Sequence, residues 1–447
     1  MRAVILGAGV VGVQIATQLI SEGKDVVIIE KDPERAKYVA GRLDCIVVNE
    51  EGAGISALRH AGLDESSIFI SVTNSDEVNM IACGLVASEF NAPVKIARVR
   101  NLDYSRAKIM EKSFLGIDYI VNSEVETARQ IANTIALGAD SDVMLFENTD
   151  LQMRNVVVSM ASYFANKAVK DIRHGIKEPF LMAGIVRDNE FIIPTGDTVI
   201  REHDNIYLLA TQKDFTRIFI QAGKRQETID RIAIVGGGRI GELACQYLIR
   251  TGRNMTIIET NYDRCKVLSD RFPDALVLNA DISDETIFEE EDLGSRDLMV
   301  AVTDNQELNM LASLYAKIMG VKRTIALVTN AGYLSIASRL DIDVAISPKN
   351  STVDAIMKYI RRGNIKSLHS IFGGKAEVIE FLANEKSGMV GRRLRDLEFP
   401  KQSLILSVVR GEKNILPHGN MAVEPGDLVL MVAAKDSIAE IERFIQD

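Results

Sequence analysis

The sequence predicts an α/β chain of two tandem parallel-sheet domains, each followed by a small antiparallel α+β module. Three observations carry that prediction. Short apolar runs alternate with helical patterns, a glycine-rich strand-to-helix turn occurs twice, and the flanking segments repeat at a nearly constant spacing. The turns are Gly7-Ala8-Gly9-Val10-Val11-Gly12, after Ala3-Val4-Ile5-Leu6, and Gly236-Gly237-Gly238-Arg239-Ile240-Gly241, after Ile232-Ala233-Ile234-Val235.

Each turn opens a helical stretch that leads to a second apolar strand ending in an acid. These strands are Val26-Val27-Ile28-Ile29-Glu30 and Thr256-Ile257-Ile258-Glu259, and the acid follows the last glycine by 18 residues in both (12 to 30, 241 to 259). Further apolar runs follow at Ile46–Val48, Ile68–Val72, Val94–Val99 and Ile117–Val121. Their counterparts are Leu276–Leu278, Leu298–Val302, Thr324–Val328 and Asp343–Ile346. Strands alternating with helices predict βαβ units and a parallel sheet covered on both faces, the Rossmann-like doubly wound arrangement. The segment Val72–Met80 matches Val302–Met310 at an offset of 230 (72 to 302).

Behind each parallel-sheet segment the pattern changes. Leu181–Val186 and Phe191–Pro194 flank the polar turn Arg187-Asp188-Asn189-Glu190, and Leu404–Val409 and Asn414–Pro417 flank Arg410-Gly411-Glu412-Lys413. Paired strands around a polar turn predict a hairpin. Asp204–Leu209 then matches Asp427–Val432 at an offset of 223 (204 to 427). The expected division is therefore 1–140, 141–225, 226–366 and 367–447.

Composition narrows the function classes. A chain of 447 residues is too long for one core. Its 47% hydrophobic and 26% charged residues suit a globular protein in water. No apolar run approaches the ~20 residues that span a bilayer. The N-terminus enters a strand at once, so no signal peptide is expected. Cys45, Cys83, Cys245 and Cys265 are scattered without a C-x-x-C, which predicts a reduced, cytoplasmic protein. A formal charge of −10 argues against nucleic acid as the partner. Glu289-Glu290-Glu291-Asp292 is expected to be a solvated helix end, and Lys224-Arg225 a linker.

The glycine turns carry the chemistry. The first glycine permits the tight turn, the second lets backbone approach a pyrophosphate, and the third lets helix and strand pack closely. Free N–H groups at the helix N-terminus meet the anion. Glu30 and Glu259 stand where a carboxylate accepts from a ribose 2′-OH, favouring NAD or an adenine nucleotide over NADP. Thr73 and Asn74 end the fourth strand, as do Thr303 and Asp304, with ligand contact and helix capping equally open. Arg98 ends the fifth strand, where its guanidinium would pair with a phosphate or a surface carboxylate; its counterpart is Leu327. Arg239 lies inside the second turn, within reach of a phosphate or a neighbouring subunit's acid. Arg35 and Arg264 are expected to form helix-face ion pairs, with ribose or adenine contact as the alternative. The five histidines, His60, His174, His203, His369 and His418, lack repeated partners, and no G-x-S-x-G or metal-ligand spacing occurs. No catalytic or metal site is expected, and sensing is favoured over turnover.

On these residues the whole chain resembles the peripheral regulatory subunits of Trk potassium-uptake systems, with their tandem RCK domains. Leu6-Gly7-Ala8-Gly9, Ala301-Val302-Thr303, Ile96-Ala97-Arg98-Val99, Val235-Gly236-Gly237-Gly238, Ile346-Ser347-Pro348 and the order of the four segments carry the resemblance. It implies a non-enzymatic subunit that binds NAD(H), and in some members ATP or ADP. Such a subunit assembles as a homo-oligomer, a tetramer, on the inner face of the membrane and gates an integral-membrane potassium transporter. By motif, nucleotide contacts fall on Gly7, Ala8, Gly9, Val10, Val11, Gly12, Glu30, Thr73, Asn74 and Arg98. In the second half they fall on Gly236, Gly237, Gly238, Arg239, Ile240, Gly241, Glu259 and Thr303. The family's usual Gly-Asp after the third strand is Glu50-Glu51 here and Ala280-Asp281 in the second half, so Asp281 keeps the acid for an adenine contact. Leu327 leaves the second site's ligand open. The alternative is an NAD-dependent oxidoreductase with a substrate site between the repeats.

Overall fold

The computed structural model describes residues 2–441 apart from positions 53, 66, 91, 93, 102, 105–113, 137–142, 147, 148, 161, 189, 222–228, 338, 361–364, 372–375, 386, 401, 412, 435, 436, 438 and 439. The Lys224-Arg225 linker and the turn residues Asn189 and Glu412 lie outside the described residues. The chain divides into two compact units. One joins Met1–Ser141 with Thr228–Ile360, and the other joins Asp142–Glu227 with Arg361–Asp447.

Strands β1 (Arg2–Leu6), β2 (Asp25–Ile29), β3 (Ile46–Val48), β4 (Ile68–Ser71), β5 (Val94–Arg98) and β6 (Tyr119–Val121) form a parallel sheet ordered 3-2-1-4-5-6. An antiparallel sheet follows from β7 (Val143–Leu145), β8 (Leu151–Val157), β9 (Leu181–Arg187), β10 (Glu190–Ile192) and β11 (Asn205–Thr211), ordered 10-9-11-8-7. The second half repeats both. Strands β12 (Arg231–Val235), β13 (Asn254–Glu259), β14 (Leu276–Asn279), β15 (Leu298–Ala301), β16 (Arg323–Leu327) and β17 (Val344–Ile346) give the parallel order 14-13-12-15-16-17. Strands β18 (Ile365–Ile371), β19 (Ala376–Leu382), β20 (Ser403–Arg410), β21 (Lys413–Ile415) and β22 (Leu428–Ala434) give the antiparallel order 18-19-22-20-21. The fold is thus two Rossmann-like domains, each followed by a small antiparallel module, as the sequence predicts.

Apolar runs without alternation become strands covered on both faces. Ala3, Val4 and Ile5 in β1 and Ile232, Ala233 and Ile234 in β12 are fully buried. The short edge strands β6 and β17 start later than the apolar pattern suggests. Asp118 and Asp343, just before them, accept the backbone N–H of Lys95 and Thr324, both at 2.7 Å.

One feature of the packing departs from the sequence order. The helix Ser123–Ala136 follows the first sheet, yet its Ala128, Ile131 and Ile135 join the core of the second, against Ile232, Ile234 and Leu248. Reciprocally, Val353, Ile356 and Met357 of the helix Pro348–Ile360 pack with Ile5, Ile15 and Ile28 of the first. The two Rossmann-like domains exchange their last helices, and neither core is complete without the other.

In the second unit the two antiparallel sheets share a core. Phe146, Leu151, Met153, Ala183 and Leu209 meet Ala376, Val378, Leu406, Leu430 and Val432. Each hairpin turn contributes a two-pronged ion pair. Arg187 donates to both carboxylate oxygens of Asp204 at 2.8 and 2.7 Å, and Arg410 to those of Asp427 at 2.9 and 2.7 Å.

Candidate functional site

Each glycine turn lies at the carboxyl end of its sheet's central strands, where ligands enter open α/β sheets. Gly7 and Gly236 adopt φ of 106° and 103°, a region that L side chains rarely enter. A Cβ at Gly12 or Gly241 would stand 2.0 Å from the carbonyl oxygen of Gly7 or Gly236, so both positions demand glycine for close helix packing. The middle glycines differ. A Cβ at Gly9 or Gly238 would meet no protein atom within 4 Å. Nothing in the chain itself requires glycine there, whereas a pyrophosphate lying against the backbone would. That cradle fits a dinucleotide or another phosphate-bearing ligand.

Glu30 and Glu259 each bind two backbone N–H groups of their own sheet's carboxyl end. Glu30 accepts the N–H of Ala8 at 2.7 Å on one oxygen and that of Asp32 at 3.0 Å on the other. Glu259 accepts from Gly237 and Asn261 at 2.7 and 2.8 Å. Each carboxylate therefore clamps the turn to the next loop; Glu30 keeps a lone pair on each oxygen for a ligand hydroxyl, whereas Glu259 Oε1 also takes the Thr260 hydroxyl at 3.4 Å and leaves only Oε2 with one.

Thr73 and Thr303 are tied into a network absent from the sequence reading. The N–H and hydroxyl of Thr73 both donate to Asn79 Oδ1, at 2.8 and 2.7 Å. Asn79 Nδ2 donates to the carbonyls of Thr73 and Arg98, at 3.2 and 2.8 Å. Asn309 repeats this with Thr303 and with the Leu327 carbonyl at 3.0 Å. Both asparagines are buried and lock the ends of the fourth and fifth strands together. The signal was present as a polar residue duplicated on the buried face of each helix. Ser75 and Asn305, rather than the threonines, cap those helices. The backbone carbonyl of Asn74 accepts a hydrogen bond from Arg100.

The cations separate the two crevices. Arg98 is half-buried, its Nε donates to Ser123 Oγ at 3.2 Å, and no carboxylate pairs with it among the described residues. Burial and then the neighbouring Arg100 push its pKa down, while Asp76 and Glu124 oppose that. Arg35 likewise has no ion pair among the described residues, unlike the expected helix-face pairing. Arg264 does pair. It donates to the Gly237 carbonyl at 2.7 Å and contacts Glu242, which also receives Arg271. Arg239 lies 3.5 Å from Glu124, on the exchanged helix. Asp281 is occupied by its own turn, accepting from the N–H and hydroxyl of Ser283 at 2.9 and 2.8 Å, which lower its pKa.

Val10 and Arg239 start the helices beside the turns, Val10 exposed; the next residues are Val11, buried in the core, and Ile240, packed against the second core. His60 contacts Glu50 at 2.6 Å and His174 the Lys170 carbonyl at 2.6 Å. No cluster of metal-ligating side chains occurs among the described residues. No helix among them is long and apolar enough to cross a membrane.

Comparison with known proteins agrees with this geometry. Residues 3–123 and 232–348 match the TrkA-N domain, and 153–220 and 378–446 match the TrkA-C domain. The chain is 34% identical to the Trk system potassium uptake protein TrkA of Halomonas elongata, over 100% of this chain and 99% of that one. It is 33% identical to a TrkA homolog of Methanosarcina mazei, over the full length of both. Among solved structures, the GsuK RCK domain is similar in fold, with a TM-score of 0.56 and 16% identity over 99% of this chain and 94% of that one. The GsuK channel bound to NAD gives 0.56 and 16% over 99% and 78%.

Proposed function

The chain belongs to the TrkA family of Trk-system potassium uptake proteins, and from that premise we propose that it senses a nucleotide and gates a potassium transporter. Its family is one of uptake proteins rather than enzymes. The first crevice would take NAD(H): Gly7 to Gly12 receive the pyrophosphate, Glu30 a ribose hydroxyl, and Arg98 a phosphate charge. The observation that carries this reading is the open side of Gly9 beside a clamped carboxylate and a half-buried arginine without a carboxylate partner. ATP or ADP would use the same turn.

The four segments 1–140, 141–225, 226–366 and 367–447 act together, as a tetrameric ring on the cytoplasmic face of an integral-membrane Trk-type transporter. A bound nucleotide biases the pore only through its different affinity for the two arrangements of the ring. The test is potassium flux through the purified transporter in liposomes, with this chain added and NADH or ATP titrated. Nucleotide-dependent flux that vanishes without the chain is expected. Steady consumption of NADH with an added oxidant, and flux indifferent to nucleotide, would instead reject the regulator in favour of an oxidoreductase.

A further inference from the structure

The exchanged helices deliver different charges to the two crevices. Counting on from the paired strand ends Val121 and Ile346, the place of Glu124 in the first half is held by Lys349 in the second. Glu124 meets Arg239 at the second glycine turn. On the other side, the exchanged helix reaches the first turn's helix through Asn350, which accepts from Gln14 at 3.2 Å.

A second acid is built into the second crevice. Glu242 sits in the first turn of the helix Arg239–Leu248, the position occupied by Val13 in the first half, where no acid stands in the first turn. A carboxylate there already uses the helix's positive end. Glu242 is only 14% exposed and holds both Arg264 and Arg271. Arg264 in turn closes onto the Gly237 carbonyl, inside the turn that would face a phosphate. In the first half Arg98 and Arg35 carry no carboxylate partner among the described residues, and at the place of Arg98 the second half has Leu327. The arginines of the second crevice are thus paired with carboxylates, Arg264 with its own Glu242 and Arg239 with Glu124 of the exchanged helix, whereas the first crevice leaves Arg98 and Arg35 for a ligand.

We propose that Glu242 and Glu124 are built-in counter-anions that set the ligand charge of the second crevice. It admits the bridging pyrophosphate of a dinucleotide and discriminates against the more highly charged tail of a nucleoside triphosphate. A triphosphate would have to displace both acids from their arginines and lie beside them. This inference rests on the nucleotide reading of the glycine turns and adds a specificity device to it.

The experiment uses the full chain with Gly9→Asp to block the first crevice. That substitution has space, and aspartate suits the N-cap position that Gly9 holds. ATP and NADH are titrated calorimetrically into this chain, then into versions that add Glu242→Gln with Glu124→Gln, or Glu124→Gln alone. Removing both acids should tighten ATP about tenfold or more and NADH less than about threefold, with Glu124→Gln alone giving a smaller shift of the same sense. Unchanged ATP affinity, or equal tightening of both ligands, overturns the counter-anion role. Absence of binding by either ligand in every version, and also in the chain with Gly9 intact, would overturn the nucleotide reading itself. Retained ATP or NADH binding at the first crevice, when the acid substitutions are made with Gly9 intact, reports that the unit remains folded.

Discussion

The two Rossmann-like halves share a backbone and differ in charge, whereas the two small modules share their ion pairs as well. In the halves, the glycine turns, clamping glutamates and strand-end asparagines coincide position by position. Yet Val10, Val13, Arg98 and Lys349 stand against Arg239, Glu242, Leu327 and Glu124. In the modules, Arg187–Asp204 and Arg410–Asp427 are the same device twice. Features that hold backbone together are kept in both copies, and groups facing the crevice diverge. Duplication of a scaffold therefore does not imply duplication of a binding site.

The largest effect should come from separating the halves. A fragment of residues 1–225 lacks the helix Pro348–Ile360 and uncovers the face formed by Ile5, Ile15 and Ile28. The packing supplied by Val353, Ile356 and Met357 is lost, each such buried side chain being worth about 1.5–3 kcal/mol, a sum comparable to a whole domain's stability of about 5–15 kcal/mol. The fragment should aggregate or lose cooperative unfolding. A sharp, reversible melt from it would break the exchange.

Next comes the test of likeness between modules. Arg187→Ala strands Asp204, which is 1% exposed, and should cost about 3–5 kcal/mol in urea unfolding. Arg410 is 35% exposed against 17% for Arg187, so Arg410→Ala should cost less. Burial opposes the charge on Asp204, but Arg187 and the Arg201 N–H hold its carboxyl below the usual range. Because the folded pKa is depressed, that stabilisation is present above the ordinary value of about 3.9 and is lost as pH falls through the folded-state value. An acid limb of the stability curve unchanged by Arg187→Ala would remove the assignment.

The asparagine locks predict equal damage in both halves. Asn79→Leu and Asn309→Leu each leave buried donors and acceptors unpaired, at about 1–3 kcal/mol each. A large difference between the two would show that the scaffolds are not equivalent.

The smallest effect on stability, and the sharpest on function, belongs to the clamping acids. Glu30→Ala should weaken NADH at the first crevice about tenfold and reduce its preference over NADPH. Glu259→Ala should change total NADH binding less, because the second crevice has Leu327 where the first has the phosphate-facing Arg98. Equal losses from both, read by calorimetry on the full chain, would dissolve the asymmetry between the halves.

By itself the sequence determined the strand order's raw material, the two glycine turns, their partner acids and the duplication, because each is local. A strand's burial shows as an unbroken apolar run, a tight turn demands glycine, and an acid at the end of β2 or β13 follows at a fixed distance. Even the divergence of Arg98 from Leu327 could be read by counting. Only the tertiary structure decided which sheet each terminal helix covers, since an apolar helical face fits either sheet equally and its periodicity names no partner. The same holds for Arg239 with Glu124 and for Asn79 with the ends of β4 and β5. The first joins residues far apart in the chain and exists only once the helices have crossed over, and the second exists only once β4 and β5 lie side by side in the sheet.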